Sequence, residues 1–366
     1  MRNRLLVGAV AFGLLAAVSV VVRPSHEVTV VAAPPSTVAT TTTSTTTTTT
    51  TTPLPPTTLA TLPPTTRAPT RAAVVTPRPT GAPTTLMPAP TLRTDAPLVP
   101  GNPGQFRGFG AWIDVYDWSS EFTKGKPSVG PSDVDRMADF GVQTLYVQTS
   151  KQASPNDVVD PQLLRPIITR AHERGLRVIA WYAPSLEDPA KDLRKLLAGA
   201  SLEVDGVGVD IESRAVSDPA ERSRRLVDLS IALRQHLPGV PLSAIVMPAV
   251  QMEVINQKYW PGFPYRDIAP AYDAWMPMSY WTSRTPASGY RDAYRYTVEN
   301  IDRLRADLGS ADVPIHPIGG IGDASTEADI DAFRRAAEER AAIGGSIYDY
   351  HTTHDALWPH LQPFRA

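Results

Sequence analysis

The chain predicts an α/β protein whose folded part is a (β/α)8 barrel, and three observations lead there. From Gln105 onward short apolar strands alternate with amphipathic helices, and the count closes at eight pairs in about 260 residues, the usual size of such barrels. No phosphate-binding glycine fingerprint follows the first strand, as doubly wound sheets usually require; Gly319-Gly320-Ile321-Gly322 comes after the seventh strand, lacks the spacing and reads as a turn. Polar and aromatic residues also gather at the carboxyl ends of the strands, where barrels keep their chemistry.

The elements follow in order. Arg2 and Arg4 precede an uncharged apolar run over residues 5–22, closed by Arg23 and Pro24. At 1.5 Å per residue that run reaches about 27 Å, enough for a bilayer core. Residues 1–33 are therefore expected to be a membrane helix with its amino end inside, or a signal peptide if Val31-Ala32-Ala33 is cleaved. Residues 34–104 are threonine, proline and alanine, with an unbroken threonine run over 45–52. Without apolar periodicity this stretch cannot repay the entropy of ordering, so a disordered linker is expected, of the composition of O-glycosylated stalks. The folded domain is 105–366. Strands are predicted at 109–115, 143–148, 176–182, 204–213, 242–247, 273–280, 313–319 and 345–350. Helices are predicted at 131–141, 161–175, 189–199, 218–237, 290–308 and 325–343, with a last helix at 354–361 and a long aromatic-rich connection up to Pro270. Proline in the first turn and glycine at the stop mark several of them.

Composition excludes several functions. The formal net charge is −2, so no nucleic-acid footprint is evident. The chain has no cysteine, which removes disulfides, thiolate metal sites and a cysteine nucleophile but not export. No cofactor is expected, and a monomer is.

The stretch Val204-Asp205-Gly206-Val207-Gly208-Val209-Asp210-Ile211-Glu212-Ser213 carries the chemistry. Val207, Val209 and Ile211 alternate with Gly208, Asp210 and Glu212, so the acids share one face, about 6.5 Å apart at their bases. Two carboxylates at the end of an apolar strand do not both ionise readily, and one is expected to hold a proton near neutral pH, as a general acid must. An ion pair with Arg214 is the bland reading. The other strand ends offer Asp114, Tyr116, Asp117 and Trp118 (first), Gln148 (second), Trp181 and Tyr182 (third), Met247 (fifth), Met278, Tyr280 and Trp281 (sixth), His316 (seventh), and Tyr348, Asp349, Tyr350 and His351 (eighth). Acids for a glycosidic oxygen and aromatic faces for stacking suit a sugar.

With those residues placed, the domain resembles the family 18 glycoside hydrolases, the chitinase-like barrels. Their fourth strand reads D-G-x-D-x-D-x-E, matched by residues 205–212; their sixth reads M-x-Y-D, here Met278-Ser279-Tyr280-Trp281. The resemblance implies Glu212 as general acid, Asp210 orienting a 2-acetamido group that acts as internal nucleophile, and Tyr280 bonding the same group. Three positions depart from the pattern: Gly208 replaces an inner acid, Trp281 an aspartate, and Asp349 stands near the family's floor tryptophan. Residues 110–115 with D-x-E also resemble the family 25 lysozyme-like barrels, and that match adds Asp114. Either resemblance implies a β-linked N-acetylamino-sugar polymer as substrate, outside the membrane. A sugar-binding barrel without turnover is the alternative.

Candidate site residues are thus Glu212, Asp210, Tyr280 and Asp114 for catalysis, with Trp181, Tyr182, Gln148, Trp281 and Asp349 for binding. Trp112, Trp275 and Trp358 read as packing, and Met276 and Met278 as barrel filling. His351-Thr352-Thr353-His354 lacks the H-E-x-x-H metal spacing and reads as a helix start; no metal site is expected. Arg222, Arg224 and Arg225 read as a solvent face.

Overall fold

The computed structural model describes residues 90–365. The expected membrane or signal segment and the expected linker up to residue 89 lie outside the described residues, and among the described residues no helix is long and apolar enough to cross a membrane.

Eight strands, β1 (Gly108–Ile113), β2 (Thr144–Gln148), β3 (Arg177–Tyr182), β4 (Gly206–Ile211), β5 (Leu242–Val246), β6 (Ala274–Pro277), β7 (Ile318–Ile321) and β8 (Gly344–Tyr348), form one parallel sheet. Its order is β6-β5-β4-β3-β2-β1-β8-β7, and parallel bridges from Trp275 to Ile315 and from Met278 to Ile318 close it. The strands alternate with α1 (Pro131–Asp139), α2 (Pro161–Glu173), α3 (Pro189–Ala200), α4 (Pro219–His236), α5 (Tyr265–Ile268), α6 (Ala293–Leu308), α7 (Glu327–Glu339) and α8 (Trp358–Leu361). The predicted (β/α)8 barrel is present.

Local chemistry explains the helix starts. Three of them follow an Asp-Pro pair (residues 160–161, 188–189 and 218–219), and the Asp188 and Asp218 side chains accept hydrogen bonds from Lys191 N and Ala220 N. The proline sits where no N–H is needed, and the aspartate caps one that is. Strands six and seven are shorter than predicted. Pro277, Pro314 and Pro317 cannot donate to a ladder, so β6 stops at Pro277 and β7 starts only after Pro317. That shift moves His316 from the predicted strand end to the strand's beginning. The predicted turn at Gly319-Gly320 is instead part of β7: a Cβ on Gly320 would lie 2.8 Å from the Trp281 ring. The long connection before β6 holds a π-helical turn, Gln251–Ile255, and α5.

Residues 91–101, within the stretch that composition assigns to the linker, are tied to the barrel. Thr94 N donates to Gln235 Oε1 (2.9 Å), Gly101 N to Asp273 Oδ1 (2.8 Å), and Val99 O accepts from Gly239 N (3.0 Å). Backbone hydrogen bonds do this without any apolar pattern, which is why composition misses it.

Partners in a parallel register share a face. Trp112, Tyr146 and Ile179 therefore line the interior at one level, and Gln148, Trp181, Gly208 and Ser243 at the next. Asp210, Ile245 and Met276 share the interior face. Trp112 stacks on Tyr146 with centroids 4.2 Å apart, making a packed interior rather than a pore.

Candidate active site

The end of β4 places Asp210 and Glu212 on the interior face, as period two demands. Asp210 is 8% exposed, and its Oδ1 has no hydrogen-bond partner among the described residues. Burial, then the charge of Glu212, push its carboxyl well above the usual carboxylate range. Burial also raises Glu212. The Lys151 ammonium, on the loop after β2, opposes both shifts. A buried acid pair sharing a proton is the expected state. Tyr259 Oη donates to the Glu212 carbonyl (2.7 Å) and fixes the strand end. Tyr280 faces the pair: burial, then Asp210, Glu212 and Asp349, raise its hydroxyl and keep it a donor.

A second group of acids lies beside the first. Asp114 caps the one-turn helix Val115–Trp118, accepting from Tyr116 N (2.7 Å), while Asp117 accepts from Asp114 N (2.9 Å). Tyr348 Oη donates to Asp114 Oδ2 (2.7 Å), and Asp349 Oδ1 accepts from Thr352 N (2.8 Å). One oxygen from each of Asp114, Asp117 and Asp349 lies within 4.8 Å of the others, close enough to hold a cation. Burial, then Asp349 and Asp114, raise Asp117 well above the usual range; burial, then Asp114, push Asp349 up to about 7. Tyr280 and Tyr348, centroids 6.0 Å apart, stand between the two acid groups.

The predicted binding residues divide. Trp181 faces inward, edge-on to Trp112 at 5.9 Å, with its indole N–H unpartnered among the described residues. Gln148 accepts from Val115 N (3.2 Å) and so holds the loop that carries Asp114. Tyr182 is withdrawn from the candidate set. It points outward, one residue out of phase with Trp181, and its hydroxyl donates to Asp192 Oδ1 (2.7 Å) on α3. Trp281 is withdrawn too: it is fully buried against Phe333 of α7, ring centroids 5.3 Å apart, over Gly319 and Gly320. A buried ring offers no face to a sugar. Arg222 is likewise not on a solvent face; it is 2% exposed and stacks on Trp260 at 4.1 Å. The inner position vacated by an acid at Gly208 is taken by Ile245, whose Cδ1 would stand 2.9 Å from any Cβ there.

Sequence reasoning missed Lys151 and Tyr259, and passed over Asp117 and Tyr348 after noting them at strand ends. Lys151 follows β2 by three residues, a position that could have signalled it. Tyr259 comes from the long connection, where nothing in the pattern points to it.

Solved structures similar to this chain include chitinases and a cortex-lytic enzyme. A glycoside hydrolase family 18 chitinase from Pseudoalteromonas aurantia is 12% identical, with a TM-score of 0.50 over 70% of this chain and 99% of that one. The fold is that of the family 18 barrels. A class V chitinase from Pseudomonas fluorescens Pf-5 is 11% identical (TM-score 0.50, 70% of this chain, 98% of the other). The spore cortex-lytic enzyme SleL of Bacillus megaterium QM B1551 is 10% identical (TM-score 0.50, 71% and 74%). No protein-family model matches the chain, and no curated protein aligns with it.

Proposed function

We propose that the chain is an extracytoplasmic glycoside hydrolase that cuts a β-linked N-acetylamino-sugar polymer, of the peptidoglycan or chitin kind. The observation that carries this reading is the Asp210–Glu212 pair on one face at the carboxyl end of β4, both carboxyls raised by burial and beside Tyr280. Glu212, the less enclosed of the two, protonates the leaving oxygen as the C1–O bond breaks. Asp210 orients the 2-acetamido group that attacks C1, and the Tyr280 hydroxyl donates to that group's carbonyl. The family 18 barrel supports the reading by fold alone. The apolar run at 5–22 and the threonine-rich stretch behind it support a membrane tether that holds the barrel outside the cell.

A sugar-binding barrel without turnover is the second reading, favoured by two observations. Ile245 fills the space beside Gly208, and a carboxylate, Asp349, stands where a floor tryptophan is expected. The test incubates the full chain and Glu212→Gln with chitin oligomers and peptidoglycan and follows products by mass spectrometry. Loss of a general acid lowers the rate by roughly 10² to 10⁴-fold. Cleavage that survives the substitution overturns the role of Glu212; binding by both proteins with no cleavage by either selects the second reading.

A further inference from the structure

The long connection before β6 walls a second cavity, of about 410 Å³, lined by Glu253, Gln257, Trp260, Phe263, Tyr265 and, from α6, Asp307. That volume suits one ring or a short chain. Gln257, Pro261 and Gly262, which all line it, are exposed, so the cavity opens to solvent. Its wall begins in the π-helical turn Gln251–Ile255, a rare geometry often found at functional sites. One side is aromatic: the Phe263 ring centre stands 5.0 Å from that of Trp260 and 4.5 Å from that of Tyr265.

The polar side is short of free donors. Gln257 Nε2 donates to Glu253 O (2.6 Å), Trp260 Nε1 to Ser223 Oγ (3.0 Å) and Arg266 Nε to Asp307 O (2.9 Å). Arg303 pairs with Glu253 Oε2 (3.0 Å) and lies 4.0 Å from Glu299 Oε2, so two carboxylates already meet its charge. The acceptors stay open. Asp307 Oδ2 is buried without a hydrogen-bond partner among the described residues, and so is Oη of Tyr265, a side chain only 8% exposed. Burying such groups unpaired costs stability that a bound donor would return.

We infer that this cavity is a binding site for a primary ammonium group, held by the Asp307 carboxylate and the Tyr265 hydroxyl against the ring of Phe263. An ammonium brings three donors and a positive charge to a wall of acceptors and ring faces. An anion would meet two carboxyl groups, and a neutral hydroxyl would gain nothing from the carboxylate's charge. Two carriers share this chemistry, an amino sugar without its acetyl group and the side chain of a diamino acid. Tyr259, which bonds the Glu212 carbonyl, directly precedes Trp260, so one segment joins this wall to the end of β4. Under the hydrolase reading the cavity is a second grip on the polymer, but the site does not rest on that reading.

The test titrates the full chain at pH 7 with Nα-acetyl-lysine amide, glucosamine and N-acetylglucosamine, followed by ligand-observed NMR. Saturable binding of one or both amines is expected, and which one binds names the carrier. N-acetylglucosamine, whose nitrogen carries no charge, is expected to bind at least about tenfold more weakly. Asp307→Asn should weaken amine binding about tenfold, the usual worth of a hydrogen bond to a charged group, and Glu212→Gln should leave it unchanged. Should Asp307→Asn fail to fold, Phe263→Leu removes a ring face and should weaken binding about threefold.

A pH series gives a second readout. Burial, then the hydrogen bond with Glu253, push Asp307 up to about 7. Facing it are Arg303 on its own helix, Glu253 on the π-helical turn, and Arg266 and Tyr265 on α5. The lysine ammonium keeps its proton between pH 6 and 8 while the carboxyl loses one, so the lysine amide should bind about tenfold more tightly at pH 8. Failure of both amines to bind, equal binding of N-acetylglucosamine, wild-type affinity in a folded Asp307→Asn or Phe263→Leu, affinity that does not rise with pH, or binding lost in Glu212→Gln overturns the site. None of these outcomes depends on whether the chain cleaves glycan.

Discussion

The two ends of this barrel treat buried polar groups in opposite ways. At the floor His316 and Arg234 are paired. His316 is fully buried with Nδ1 against Phe106 O (2.8 Å) and Nε2 against Ser346 Oγ (3.0 Å). Arg234, also fully buried, pairs with Asp273 (2.6 Å) and donates to the carbonyls of Val99, Val240 and Ala271, while Asp273 accepts from Gly101 N and Leu242 N. At the rim, Asp114, Asp117 and Asp349 crowd together, and Asp210 and Glu212 are raised by burial against the opposing charge of Lys151. The floor spends its polar groups on holding the chain together. The rim keeps carboxyls in a state that costs stability, which is the usual mark of a functional site.

This contrast can be broken or sharpened experimentally. The largest effect is expected at the floor: Arg234→Met strands Asp273 and should cost about 3–5 kcal/mol in denaturant unfolding. At the rim the sign reverses. The folded Asp349 carboxyl titrates at about 7, above its unfolded value, so the folded state holds the proton more tightly and stability falls as pH rises from about 4 to 7. Asp349→Asn should therefore be more stable than the wild type at pH 8, by about 2–4 kcal/mol, and no more stable near pH 4. A less stable variant at pH 8 would remove the rim's supposed cost.

His316 titrates in the opposite direction over nearly the same window. Burial lowers it to about 4, so the folded state resists the proton and stability falls as pH drops from about 6.5 to 4. His316→Gln should flatten that acid-side loss by about 2–3 kcal/mol, visible as a smaller fall in melting temperature between pH 7 and 4. The smallest effect is expected for Tyr348→Phe, which removes the hydrogen bond to Asp114 Oδ2 and should cost about 1 kcal/mol. A cost as large as that of Arg234→Met would mean that the rim is built for stability after all.

Much of the rim was legible in the chain. Strand four declares itself by its period, and that period alone puts Asp210 and Glu212 together on the inside. The same rule could have excluded Tyr182, since it neighbours the inward Trp181. Trp281 could not be placed that way, because Pro277 ends β6 and the alternation stops before it. His316 was misjudged because prolines at 314 and 317 delay strand seven.

The sequence by itself determined the barrel, its helix starts and the acid pair, because periodicity, Asp-Pro caps and alternation act over a few residues. Only the tertiary structure decided what surrounds that pair. Lys151 is 59 residues from Asp210 in the chain, and Asp114 is 235 from Asp349. The electrostatics of a buried carboxyl depend on charges within a few ångströms in space, and closing eight strands into a ring is what brings those charges together.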